Sequence, residues 1–236
     1  MAESAVQPTG DASESLVPES PRLEPFSGTF VPGICFDSGY CLWAFDFRSV
    51  PDDLAPFSDV WVFAPDGERT LYIDSAVARD VISGNHRFDR TVVADVSIDR
   101  PRDGEVIVTV VSDDASIAFE VRFEKTVGTR VLNVLSAVTP DAVARTRFGS
   151  ALSTALLNRL VDANGTKVAG RFGTGEPYRF TADRTWAVTD ATATIDGVDA
   201  GAVVRPDRPF ADGDVKNMSV CIEGTAHVPV RRDSRT

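Results

Sequence analysis

Residues 116–124 alternate without a break, with Ile117, Phe119, Val121 and Phe123 on one side and Ala118, Glu120, Arg122 and Glu124 on the other. Successive side chains of an extended chain point to opposite faces, so this pattern predicts a strand with one face buried. The same period of two predicts strands over residues 40–47, 59–63, 69–73, 91–98, 105–111 and 185–195. The segments around Cys35 and Cys41, and from Cys221 to His227, also read as extended. Pro65-Asp66-Gly67, Arg102-Asp103-Gly104 and Ser112-Asp113-Asp114 separate several of these runs and carry the residues that tight reversals favour. One stretch has helical spacing instead. Phe148, Leu152, Leu156 and Leu160 recur every four residues beside Ala151 and Ala155, and Asn164-Gly165 ends the run. Thr139 suits its cap, Pro140 its first turn and Asp141 its positive end. The expected fold is mainly β with one long helix (α+β), an antiparallel meander forming a curved sheet or barrel against which that helix packs.

Composition places limits on this picture. With 236 residues, 43% of them hydrophobic, the chain can bury a sizeable core as one unit. Residues 1–25 are rich in Ser, Pro and Glu with little to bury, and are expected to be a disordered tail. Residues 26–230 form the expected β-rich domain, and 231–236 a frayed end. The net charge is -11, carried mostly by Asp, while lysine occurs only as Lys125, Lys167 and Lys216. Short carboxylates in excess resemble the surfaces of proteins from salt-accumulating cells, where screening suppresses their mutual repulsion; a GC-rich genome produces the same bias. Such a balance argues against nucleic acid and anionic membrane as partners, which require clustered Lys and Arg. No leader or spanning segment is recognisable, and the cysteines, Cys35, Cys41 and Cys221, are odd in number. A cytoplasmic, reducing location is therefore expected. No cofactor is implied, and the oligomeric state is left open.

Several constellations carry candidate chemistry. The pairs Cys35/Cys41 and Cys221/His227 invite a zinc reading, but six residues of strand span about 20 Å, too far to share one ion. Only a turn at Asp37-Ser38-Gly39 would bring the first pair together, and buried thiols are the expectation. The glycines of Gly170-Arg171-Phe172-Gly173-Thr174-Gly175 look like a phosphate loop, yet Glu176-Pro177-Tyr178 follows in place of a helix. Turn glycines fit better. Lys167, Arg171, Glu176, Tyr178 and Arg179 then either line a cavity or decorate a solvated hairpin. In Gly84-Asn85-His86-Arg87-Phe88-Asp89-Arg90, His86 beside Asp89 has the chemistry of a general base; the alternative is a surface loop in which Asp89 pairs with an arginine. No nucleophile elbow occurs. Phe36, Tyr40, Trp43, Phe45, Phe47 and Trp61 are either core or the lining of an apolar pocket.

The segment from Arg79 to Phe88 resembles acetoacetate decarboxylase-like proteins, which are β-rich barrels carrying Arg-Glu, a few residues, then Pro-Lys-Lys-Leu. The resemblance covers the middle third of the chain. Asn85 stands for the proline, His86 for the lysine that forms a Schiff base with a keto acid, and Arg87 for the second lysine. An imidazole forms no such imine, so the resemblance implies the fold without the chemistry unless Lys125 or Lys167 supplies the amine. Gly28-Thr29-Phe30 ahead of a meander resembles lipocalin-like barrels. Both resemblances imply an interior able to hold a small ligand. The leading expectation is a barrel that binds a small, anionic organic molecule near Arg79, His86 and Arg87, with Arg171 and Tyr178 also facing it. His86, Lys167 and Glu176 are the catalytic candidates if a keto acid is turned over by a lyase. The competing expectation is an interaction domain without a pocket.

Overall fold

The computed structural model describes residues 22–140, 143, 146–161, 163–205 and 213–230. The 1–21 part of the expected tail and the whole of the expected frayed end lie outside these residues. Among the described residues, thirteen strands form one sheet. They are β1 (Leu23–Phe36), β2 (Cys41–Ser49), β3 (Phe57–Phe63), β4 (Arg69–Ile73), β5 (Arg90–Val93), β6 (Asp95–Asp99), β7 (Glu105–Val111), β8 (Ser116–Glu124), β9 (Ala169–Arg171), β10 (Pro177–Ile195), β11 (Val198–Asp199), β12 (Val203–Val204) and β13 (Val220–Pro229). The order along the sheet is β5-β4-β3-β2-β1-β13-β10-β8-β7-β6, with β9 and β11 on β10 and β12 on β1. Every pair is antiparallel except β4 with β5, whose connection is the helix α1 (Ala76–Asn85). A parallel pair needs such a crossover. Leu23, Glu24 and Pro25 belong to β1 and pair with β13, so the strand begins inside the segment expected as tail.

The two edges of the sheet are consecutive in sequence. Only Ala94 separates β5 from β6, and its N–H reaches the Ile73 carbonyl at 2.9 Å. What the period of two predicts as one strand over 91–98 is thus a strand bent at Ala94, whose halves pair with β4 and β7 respectively. Both edges lead into the same bend, so the sheet curls into a nearly closed barrel. Its enclosed face is filled: Val31, Leu42 and Val60 from one side meet Val108, Phe119 and Val121 from the other, all buried. At one end the filling turns polar, where Arg100 donates to Glu223 at 2.6 Å and to Thr29, and Arg48 donates to Thr29 and Asp46. The barrel interior is a packed core.

The opposite face of β1, β2, β3, β10 and β13 carries the second core, dominated by Phe26, Phe30, Trp43, Phe45, Phe47 and Trp61. Helices cover it. In place of one long helix, the described residues hold three short ones: α1, α2 (Val127–Val138) and α3 (Arg147–Val161). Thr139 does not start a helix but ends α2, with its N–H and its hydroxyl both bonded to the Leu135 carbonyl. Pro140 explains this, since a residue before proline is pushed out of the helical region, and Thr139 is extended at ψ 116°. Thr146 caps α3 instead, its hydroxyl accepting from the Gly149 N–H at 3.0 Å. Asp141 lies outside the described residues.

Cys35 and Cys41 also differ from expectation. The hairpin turn at Asp37-Ser38-Gly39 sets them directly opposite each other on β1 and β2, and they form a disulfide. Cys221 remains a buried thiol, pushed up to about 12 by desolvation. The expectation of a reducing compartment loses the support it drew from three free thiols. No helix among the described residues is long and apolar enough to cross a membrane.

Candidate functional site

Between the aromatic face of the sheet and the helices lies a cavity of about 570 Å³. Its floor is built by strand alternation: Phe26 and Phe30 on β1, Phe45 and Phe47 on β2, and Trp61 on β3 all project from one face. Phe180 of β10 meets Phe30 edge to face, with ring centres 5.0 Å apart. Trp43 and Trp61 stack at 5.2 Å with planes inclined by 10°. The roof is the antiparallel pair α2 and α3, which present Leu132, Leu135, Leu152, Leu156 and Leu157.

One wall joins the two segments that the sequence singles out separately. His86 follows α1 directly, and its N–H closes the last turn onto the Ile82 carbonyl at 2.9 Å. The extended backbone there directs the imidazole between Trp61 and Phe172, at ring distances of 4.4 and 4.2 Å. Phe172 in turn stacks on Tyr178 at 4.6 Å. The loop bearing Phe172 is pinned to α1 by Thr174, whose hydroxyl donates to the Asn85 carbonyl at 2.7 Å. Asn85 itself is buried and bridges to the Pro229 carbonyl on β13. Trp61, His86, Phe172 and Tyr178 therefore form a continuous aromatic run, and all four line the cavity.

The remaining candidates are placed as follows. Tyr178 donates to the Lys167 carbonyl at 2.8 Å, and burial, reinforced by the Asp214 charge, pushes its phenol well above the usual range. It stays neutral at any physiological pH. Lys167 also lines the cavity, with Nζ held 2.7 Å from Asp214. Burial alone would raise the Asp214 carboxyl, but the Lys167 hydrogen bond and the Arg171 N–H outweigh it and hold the group low. Arg79 lies along Asp80, Arg87 is exposed, and exposed Arg171 donates to the Gly175 carbonyl at 2.6 Å. These three arginines and Glu176 lie outside the cavity lining, as does Lys125. The glycines of 170–175 form a turn closed by Gly175 N–H to Phe172 carbonyl, with β10 following. Cys221 and His227 sit on one continuous strand, and no cluster of three His, Cys, Asp or Glu able to hold a metal occurs among the described residues.

Of the roof, α3 contains the helical repeat read from Phe148 to Leu160, whereas α2 went unread in the sequence. Its signal was available, since Val127, Val131, Leu132, Val134, Leu135 and Val138 leave Arg130 as the only charge. Comparison with protein-family models, curated proteins and solved structures finds no match to the chain.

Proposed function

We propose that the protein binds a small, predominantly apolar organic molecule in the cavity between the outer face of its barrel and the α2–α3 pair. The observation that carries this is the cavity itself. Protein interiors pack as densely as organic crystals, with few voids larger than a water molecule. A space of about 570 Å³ falls in the range of about 300–1,000 Å³ that ligand sites occupy. Aromatic rings on strands make its floor rigid, and rigid walls lower the ordering cost of binding. The lining is mostly apolar, with His86, Lys167 and Asp183 joining scattered Ser, Thr and Asn side chains as its polar points, which suits an apolar molecule bearing polar groups and not the compact anion that Arg79 and Arg87 suggested. Binding does not require His86 to act as a base.

Trp43 and Trp61 make the test direct, since a ligand against either indole quenches or shifts its emission. Titration with long-chain fatty acids, retinoids and aromatic lipophiles is expected to give saturable quenching and a rise in melting temperature, about 2.7 kcal/mol at a hundredfold excess over Kd. Leu156→Trp, which puts an indole into the space under the roof, is expected to weaken binding by about tenfold or more while leaving the fold intact. Absence of quenching and of a thermal shift across all three classes would refute the reading.

A further inference from the structure

Against the expectation drawn from the charge of the whole chain, we infer that the α2–α3 pair is a docking surface for an anionic lipid bilayer. Among the described residues, seven of the thirteen large hydrophobic side chains that stand exposed lie on or between these helices: Val127, Val131, Val134, Val138, Val143, Phe148 and Leu152. On α2 the four valines from 127 to 138 recur at spacings of four, three and four, which places them in one stripe along the side turned away from the cavity. Leu132, on the other side, is buried against the core. On α3, Phe148 and Leu152 follow one another at a spacing of four and are 76% and 50% exposed, although both also line the cavity. The apolar surface outside is thus continuous with the apolar space inside.

Charge identifies the occupant. From Lys125 to Val161 the sequence has five basic residues, Lys125, Arg130, Arg145, Arg147 and Arg159, against the single acid Asp141, with Glu124 and Asp162 bordering the stretch. The net charge of -11 therefore divides into +4 on this stretch and -15 on everything else. Lys125, Arg130, Arg147 and Arg159 are exposed, and none forms an ion pair among the described residues. A second copy docked by the same face across a two-fold axis would set these cations against their equivalents. A surface that is negative outside and hydrocarbon within matches both features at once, as it does for amphipathic helices that lie in a membrane interface. The acidic remainder of the molecule is repelled from that surface, which leaves the helices as the contacting face.

The test is sedimentation of the full-length protein with vesicles of phosphatidylcholine alone and of phosphatidylcholine mixed with phosphatidylglycerol, at low and at molar salt. The protein is expected to sediment with the anionic vesicles, less with the neutral ones, and less at molar salt. R130E/R147E is expected to abolish the preference for anionic vesicles, about fivefold for each charge removed. V131S/V134S is expected to weaken binding to both kinds by about tenfold or more. Neither pair lines the cavity, so both variants keep wild-type tryptophan quenching. That readout separates failure of the docking face from failure of the ligand site. Absence of sedimentation with anionic vesicles at low salt overturns the inference. So does a dimer in solution that V131S/V134S dissociates, which would assign the face to a second copy.

Discussion

Asp59 is the residue least suited to its place. It stands in mid-strand between Phe45 and Ile73, is wholly buried, and neither carboxylate oxygen has a hydrogen-bond partner. Burial pushes its pKa well above the ordinary range. The neighbouring Trp61 indole pulls the other way without completing a well-formed bond, and the Asp74 charge adds to the rise. The folded value exceeds the unfolded one, so the favourable contribution is complete below the unfolded value and is lost as pH rises through the folded value. Asp59→Asn removes the titration and keeps the shape. The variant is expected to exceed the parent in stability above neutrality, by about 1.4 kcal/mol for each pH unit above the unfolded value until the folded carboxyl itself ionises. The gap should close below about pH 4, where the parent carboxyl is protonated in both states. Urea melts across that range decide it, and a constant gap would place the effect elsewhere.

Gly128 plays the corresponding part among the helices. A Cβ at this position would lie 2.3 Å from the Leu160 carbonyl oxygen, so α2 and α3 cross at a distance that only glycine permits. Gly128→Ala gains helix propensity in α2 but must push the helices apart, and the crowding is expected to prevail, at a net loss of about 1–3 kcal/mol. Because the two helices roof the cavity, tryptophan quenching by ligand should weaken in the same variant, and an unchanged or raised melting point would show the crossing to be looser than described. This crossing also marks where the sequence ceased to be readable. Strands β7 and β8 have the bounds their alternation predicts, because each has one buried face, and β4 has its predicted bounds although Thr70 to Ile73 are all buried. Residues 23–36 defeat that rule: β1 is buried on both faces from Thr29 onward, so its apolar residues run together without a period. The floor aromatics were visible as a cluster, but whether they filled a core or walled a space depended on α2, α3 and the break at Pro140. The meeting of His86 with Phe172 depends on tertiary contacts between segments more than eighty residues apart, for which no local pattern exists.

Along the whole sequence the charge divides into +4 on the stretch from Lys125 to Val161 and -15 on the remainder, and this division governs the response to salt. Surface ion pairs such as Arg90–Asp114 and Arg48–Asp46 neutralise part of the acidity, but acids outnumber bases by 35 to 24. The surplus carboxylates repel one another whenever the chain is compact. Screening shortens the reach of that repulsion to about 3 Å at 1 M salt, against about 10 Å at 0.1 M. Exposed ion pairs, each worth about 1 kcal/mol or less, lose little in exchange. Stability is therefore expected to climb with potassium chloride and to level off near molar concentration, and the rise should exceed that of a variant in which Asp52, Asp53 and Asp113 are replaced by Asn. If the parent and this variant melt at the same temperature in dilute buffer and in molar salt, repulsion among the carboxylates does not limit the fold. The aspartate excess would then be a matter of genome composition and not of adaptation to salt.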